Sequence, residues 1–172
     1  MNAFALPLLV ASSALASITV QMDVPALTAA STDVVDAQVV SASAVWTGDH
    51  RRIMTHVQVD VRETWKGTAT GRITVVQPGG ERDGLGQRVS GVAALVPGER
   101  VVLFLERAGD RHRVVGLAQG VYRVQPGEGG AEEHAVPASL EGLDLVTPAG
   151  RSPALRTTVS LSELRSAVRA AR

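Results

Sequence analysis

The sequence predicts a mainly β fold, built as a small antiparallel barrel or a sandwich, with a short N-terminal helical turn and a C-terminal helix. Short segments rich in β-branched residues follow one another between glycine and proline turns, which is typical of an all-β domain. No segment of helix length separates the central strands, so parallel strand–helix–strand units are not expected. One amphipathic segment at the C-terminus completes the pattern.

Composition narrows the class of protein. The chain has 172 residues, of which 45% are hydrophobic and 3% aromatic, so one domain with a core of aliphatic residues is expected. Its 17 basic and 17 acidic residues balance. Because domains that neutralise phosphates carry a positive excess, no nucleic-acid partner is expected. The chain has no cysteine, which excludes disulfides, thiolate nucleophiles and cysteine-ligated zinc, and no cofactor is expected.

Residues 1–16 are predicted to be a signal peptide. The run Phe4–Ala11 is apolar, and Ala14-Leu15-Ala16 has the spacing of a cleavage site, so the mature chain should begin at Ser17. No side chain before Asp23 is charged, so the usual basic n-region is missing. A membrane anchor and a buried helix are the alternatives, but proline and serine interrupt the apolar stretch. We expect an exported protein, periplasmic or extracellular, with no stable membrane span after cleavage.

Residues 24–125 are expected to form the β domain, beginning with a short helical turn and a first strand at 34–42. The clearest alternation lies between Ile53 and Trp65, where Val57, Val59 and Val61 alternate with His56, Gln58, Asp60 and Arg62. A period of two places the valines on one face, which indicates a half-buried strand. Residues 100–105 are apolar at every position except the first, which favours a central strand covered on both faces.

The last part of the chain divides into two segments. Residues 126–158 contain glycine and proline and are expected to be irregular, with room for one edge strand. Residues 159–171 are predicted to form an amphipathic helix, because Leu161, Leu164 and Val168 recur at helical spacing. Ser160 and Glu163 have the spacing of a capping box at its start.

Five runs carry a resemblance: Asp33–Val39 (DVVDAQV), Glu63–Gly67 (ETWKG), the loop from Pro78 to Gly91, Gly98–Leu105 (GERVVLFL) and Gly116–Tyr122 (GLAQGVY). Together they resemble a group of uncharacterised exported bacterial β-rich proteins. The strand that ends in Trp-Lys-Gly is also similar to strands of netrin-like domains and tissue inhibitors of metalloproteinases, which implies an OB-like barrel. Those inhibitors bind the protease zinc through an N-terminal cysteine, so their mechanism does not carry over to this chain.

The glycine-rich segment from Pro78 to Gly91 is the best candidate for a functional site. It is predicted to be a long loop, with room for a short strand at 87–90, and loops of this length are often functional. It lacks the lysine and hydroxyl residue of a phosphate-binding P-loop and the third glycine of a dinucleotide fingerprint. Its candidate binding residues are Gly79, Gly80, Glu81, Arg82, Asp83, Gly84, Leu85, Gly86 and Gln87. A structural cover for the core is the alternative.

No catalytic or metal-binding pattern stands out. The histidines His50, His56, His112 and His134 show no metal-ligand spacing, and His56 and Asp60, four apart on a strand, should lie about 13 Å from each other. Ser90 does not lie in a nucleophile elbow. Gly120, between two strands, predicts a bulge or tight corner.

The function that these observations favour is a non-enzymatic exported binding module that presents residues 78–91 to a protein or peptide. A hydrolase whose residues converge only in the folded chain is the first alternative, and a structural envelope component is the second.

Overall fold

The computed structural model describes residues 17–127, 132–147 and 156–172. The predicted signal peptide, residues 1–16, lies outside the described residues. The strands are β1 (Ser17–Val20), β2 (Asp33–Trp46), β3 (Ile53–Lys66), β4 (Arg72–Pro78), β5 (Gly80–Arg82), β6 (Leu85–Gln87), β7 (Arg100–Ala108), β8 (Arg111–Val114), β9 (Val121–Gln125), β10 (His134–Pro137), β11 (Leu143–Val146) and β12 (Val159–Ser160). The α-helices are α1 (Val24–Ala30) and α2 (Leu161–Ala170), and a 3₁₀ helix spans Leu117–Gly120.

Eight of these strands form one sheet in the order β12-β10-β9-β7-β2-β3-β4-β8. The sheet curls, because β8 pairs with β7 as well as with β4. The contact with β4 is a single parallel pair, Val75 with His112, so the seam is too narrow for a fully hydrogen-bonded barrel. The predicted mainly β class, with an N-terminal helical turn and a C-terminal helix, is confirmed, and a sandwich fits the arrangement.

Strand β7 lies between two hydrophobic cores. Val101, Leu103 and Leu105 face the core inside the curled sheet. Val102 and Phe104 face a second core, which the two helices cover. All five side chains are fully buried, which confirms the prediction that this strand is covered on both faces.

Helix α2 packs on the second core. Ser160 and Glu163 form the predicted capping box, each side chain accepting a hydrogen bond from the other residue's backbone N–H. Leu164 and Val168 are buried beside Leu27 of α1. The helix is therefore fixed to the sheet by its apolar stripe.

The segment expected to be irregular, residues 126–158, contains two strands in its described parts. Strand β10 pairs with β9 and β12, and β11 pairs in parallel with β1. Both are four residues long and owe their order to distant partners, so no local pattern marks them. No helix among the described residues is long and apolar enough to span a membrane.

The N-terminal segment is held by a buried glutamine. Gln119, which is fully buried, donates from its amide to the carbonyl of Val20 and accepts from the N–H of Met22. A Cβ at Gly120 would lie 2.2 Å from the carbonyl oxygen of Val115, so the predicted tight corner is confirmed. This corner aims Gln119 at the chain that precedes α1.

Candidate functional site

The segment from Pro78 to Gly91 contains a β-hairpin rather than an irregular loop. Strand β5 pairs antiparallel with β6, which lies two residues earlier than the short strand that the sequence favoured. Asp83 and Gly84 form the turn with φ values of +54° and +75°. Positive φ at both central residues matches the right-handed twist of a hairpin, and Asp-Gly is a strong sequence signal for this turn. That dipeptide could have identified the hairpin in advance.

The hairpin is docked on the far ends of β2 and β3, which we call the arm (residues 40–57). At its base, the N–H of Gly79 donates to the carbonyl of Ile53 over 2.8 Å. Thr55 Oγ1 donates to the carbonyl of Gly79 over 2.7 Å, and the Gln87 side chain accepts from the N–H of Ile53 over 2.7 Å. These three bonds connect both ends of the hairpin to one short stretch of β3.

Two glycines at the base are required by close packing. Gly79 has a φ of +95°, and a Cβ there would lie 2.7 Å from the carbonyl oxygen of Gln87. Gly80 has a φ of +132°, and a Cβ there would lie 2.6 Å from Thr55 Oγ1 and 2.9 Å from Ala44 Cβ. The hairpin therefore lies against the arm with no room for a side chain between them.

The tip of the hairpin is held from the other side of the arm. Trp46 Nε1 donates to Asp83 Oδ2 over 2.9 Å, and Arg82 reaches the carbonyl of Ala44 at 3.5 Å. The Trp46 ring also stacks on His50, with centroids 6.0 Å apart. Leu85 remains 60% exposed at the tip. The hairpin thus presents an apolar side chain beside exposed charges on a backbone that is fixed at both ends.

The predicted site residues have different roles in the hairpin. Gly79, Gly80 and Gln87 anchor the hairpin, and Asp83 and Gly84 turn it. The exposed members are Glu81, Arg82, Asp83, Gly84, Leu85 and Gly86. These six are the members of the predicted set that solvent reaches most fully.

Two cavities lie beside the chain that follows the hairpin. The first, of about 270 Å³, extends from Gly79 and Thr55 to Leu95. The second, of about 490 Å³, lies between residues 88–94 and the segment that contains Ser139 and Glu141. The chain between the two, residues 88–94, contributes to the lining of both.

A further cleft of about 350 Å³ opens where β3, β4, β8 and the 3₁₀ helix meet. We call it the aliphatic cleft. Its apolar lining consists of Met54, Val76, Pro78, Val92, Val114 and Leu117. Gln77 also lines it, but its amide donates to the carbonyl of Ala93. Arg52 and Arg113 contribute exposed cationic side chains.

A buried acidic residue organises the opposite end of the curled sheet. Asp33 is 1% exposed, and its Oδ1 accepts from the N–H groups of Thr68 and Ala69 over 2.8 and 2.9 Å. Arg107 and His112 approach Oδ2 at 3.3 and 3.6 Å. Burial opposes ionisation, but the hydrogen bonds from Thr68, Ala69 and Thr32 and the charge of Arg107 together outweigh it and hold the pKa of Asp33 below its ordinary value.

His112 is the one histidine that bears on the hydrolase alternative. It is 6% exposed, and burial lowers its pKa more than the neighbouring carboxylate of Asp33 raises it. It does not line the two cavities beside residues 88–94, the aliphatic cleft or the cleft at the start of α2. Its burial beside the carboxylate of Asp33 favours a role in supporting the fold.

The other histidines lie apart from one another. His56 is 3.4 Å from the guanidinium of Arg111, whereas Asp60 accepts two hydrogen bonds from Arg72. His134 is exposed on β10. Among residues 17–127, 132–147 and 156–172 no group of three potential ligands could hold a metal ion.

A buried ion pair was missed by sequence reasoning. Arg100 donates two hydrogen bonds to Asp36, over 2.9 and 2.6 Å, and a third to Glu133 over 2.5 Å. These bonds, led by those to Asp36, raise the pKa of the guanidinium. Asp36, Arg100 and Glu133 line a cleft of about 250 Å³ at the start of α2, together with Glu63 and Arg165. Sixty-four residues separate Asp36 from Arg100, so no local spacing signals the pair.

Comparisons with family models, with curated proteins and with solved structures found no match. The fold and the site define the class only as a mainly β protein with a curled sheet and a docked hairpin. The geometry of the hairpin and its surroundings is the feature of this chain that bears on its function.

Proposed function

We propose that the chain is exported, to the periplasm or the extracellular medium, and that it acts there as a non-enzymatic binding module. Its partner is a protein or peptide that contacts the exposed hairpin residues between Glu81 and Gly86. No nucleic acid and no cofactor takes part.

The observation that carries this proposal is the exposure of Leu85 on a fixed backbone. Leu85 is 60% exposed and belongs to neither hydrophobic core. It is the first residue of β6 in a hairpin that bonds to Ile53, Thr55 and Trp46 already hold in one conformation. Because the backbone is ordered before a partner arrives, binding does not have to bear that entropy loss.

The charges around Leu85 support recognition rather than simple adhesion. Glu81, Arg82 and Asp83 are all exposed at the same tip, and an apolar anchor with a polar surround is the usual anatomy of a small interface. The two cavities beside residues 88–94 offer room for partner side chains next to the hairpin.

The hydrolase alternative draws on the His112–Asp33 pair. Thr32 Oγ1, a hydroxyl beside this pair, donates to Asp33 and lies 3.2 Å from the carbonyl of Leu105, so it is engaged in the fold. Asp33 likewise accepts two backbone N–H groups. This pair favours a structural role, and the binding module remains the better-supported function.

Affinity capture tests the proposal, with the full chain as bait and envelope and medium fractions as the source. The decisive variant is Leu85→Ser, and Val146→Ser is the matched control because Val146 is 52% exposed on a different part of the chain. We expect a partner that wild type and Val146→Ser retain and Leu85→Ser loses. A set of captured proteins that is the same for all three baits would refute the hairpin as the binding site.

A further inference from the structure

The aliphatic cleft lies beside the hairpin and not on it, because none of the residues from Gly79 to Gln87 lines it. Gln77, Pro78 and Val92 line both this cleft and the cavity of about 270 Å³. The volume of the aliphatic cleft, about 350 Å³, lies at the lower end of the range for small-molecule sites. At about 30 Å³ for each water molecule, it offers room for roughly a dozen non-hydrogen atoms. The cleft therefore suits a small ligand and not a protein surface.

The lining indicates an aliphatic ligand. Met54, Val76, Val92 and Leu117 are aliphatic or thioether side chains that are only partly buried, and no aromatic ring lines the cleft. Covering such side chains yields about 25 cal/mol for each Å² of apolar area that leaves water. A flexible hydrocarbon chain can follow a surface of this kind.

The charge of the cleft indicates an anion. Arg52 and Arg113 are its only charged lining residues, and within the described part of the chain neither guanidinium makes an ion pair. Glu106 lies opposite Arg113 in the β7–β8 register without bonding to it. The charge of Arg52 acts on Asp49, but the stronger interactions of Asp49 are the hydrogen bonds that it accepts from the Thr47 hydroxyl and the Arg51 backbone N–H. Unpaired guanidinium groups are well suited to bind a carboxylate.

Backbone conformation provides an independent observation at the same place. Leu117 has a φ of +58°, a left-handed conformation that is strained for a branched side chain. Gly116, immediately before it, has a φ of +66° at no such cost. Strain of this kind is concentrated at ligand sites, and here it places a leucine in the cleft where glycine would fit the backbone better.

We propose that the aliphatic cleft binds a medium-chain aliphatic carboxylate, with the hydrocarbon chain against Met54, Val92 and Leu117 and the carboxylate held by Arg52 and Arg113. The two guanidinium groups provide hydrogen-bond donors for the carboxylate, and the apolar lining between them contacts the hydrocarbon chain. This site is distinct from the hairpin, so its failure would leave the proposed binding of a protein partner untouched.

Titration calorimetry of the purified chain with decanoate, below its micelle concentration, tests the proposal. Decanol, which has the same chain without the charge, and acetate, which has the charge without the chain, are the comparison ligands. We expect saturable binding of decanoate that is at least about tenfold tighter than that of either comparison ligand, as expected for hydrogen bonds to charged groups. Decanol binding as tightly as decanoate would overturn the assignment of an anion.

Variants locate the site. Arg52→Gln with Arg113→Gln should weaken decanoate binding by about tenfold or more, since both charge-assisted bonds are removed. The control Arg51→Gln removes an exposed cation from the same turn without touching the cleft and should bind like wild type. Leu117→Gly removes lining while relieving strain, so it should weaken binding in a chain that remains folded by circular dichroism. Wild-type affinity in either cleft variant would overturn the proposal.

A short apolar peptide with a free C-terminal carboxylate completes the experiment. If the peptide binds the wild-type chain more tightly than decanoate and loses affinity in the double arginine variant, the site takes a protein C-terminus, and the assignment of an aliphatic chain is overturned. Weaker binding of the peptide supports the assignment.

Discussion

Trp46 and Asp83 are joined by a hydrogen bond of 2.9 Å from the indole Nε1 to a carboxylate oxygen, across 37 residues of sequence. This bond connects the end of β2 to the turn of the hairpin. It is the contact at the tip that complements the three bonds at the base.

Replacing Trp46 by Phe should loosen the tip of the hairpin without unfolding the chain. Phe keeps an aromatic ring beside His50 but has no N–H, so one hydrogen bond worth roughly 0.5–1.5 kcal/mol is lost. Hydrogen exchange of the amides between residues 81 and 86 should become faster, while exchange in β7 stays as in wild type. Unchanged exchange at the tip would show that the base alone orders the hairpin.

Gly80→Ala and Gly86→Ala form a matched pair that tests docking against the arm. A Cβ at position 80 meets Thr55 and Ala44 and demands a positive φ, whereas a Cβ at position 86 has nothing within 4 Å. Gly80→Ala should lower the free energy of unfolding by about 1–3 kcal/mol, and Gly86→Ala should change it by less than about 0.5 kcal/mol. Urea denaturation measures both, and equal effects would contradict the docked position.

Arg100→Met and Arg72→Met compare a buried ion pair with an exposed one. Asp36 is almost fully buried, and removal of Arg100 would leave its charge without a partner, so a loss of about 3–5 kcal/mol is expected. Arg72 and Asp60 are both about half exposed, so water screens their interaction and the loss of that pair should cost far less. Thermal or urea unfolding of the two variants should separate clearly; similar losses would mean that Arg100 is not as isolated from water as its contacts indicate.

Stability should fall in two steps as the pH decreases. Burial holds the pKa of His112 below its ordinary value near 6.5, so the folded chain resists a proton that the unfolded chain accepts below that pH. Asp33, whose folded pKa is lowered, contributes stability that is lost as pH falls below about its unfolded value of 3.8. Urea midpoints between pH 8 and pH 3 should show both steps. His112→Phe should abolish the first step only.

Mass spectrometry of the chain exported by a bacterial host should identify Ser17 as the first residue. This follows from the Ala14-Leu15-Ala16 spacing. A chain that retains Met1 and stays with the membrane fraction would favour the anchor alternative instead.

Local sequence patterns predicted several strands of the fold. The alternation at Val57 and Val59 predicted a half-buried strand, and the unbroken apolar run of β7 predicted burial on both faces, because side-chain period depends only on neighbours in the same strand. The Asp83-Gly84 turn was also present as a signal, although the surrounding glycines favoured an irregular loop.

The contacts that cross the chain could not be predicted. Asp36 and Arg100 meet because β2 and β7 are neighbours in the sheet, and that neighbourhood follows from topology and not from spacing. The same holds for the aliphatic cleft, where Arg52, in the turn before β3, and Arg113, in β8, are connected by no sequence pattern. Sequence reasoning singled out the exposed segment that forms the hairpin, which it predicted to be a loop, and it missed the cleft because the lining residues come together only in the folded chain.

The pairing of Ser17 with Leu143 constrains the order in which the chain can complete its fold. A chain that is synthesised from its N-terminus exposes β1 well before β11, the strand with which it pairs, has been made. Gln119, which clamps Val20 and Met22, also arrives late. Strand β1 is therefore among the last segments to find its place, and until β11 is made its hydrogen-bonding groups remain open to other partners.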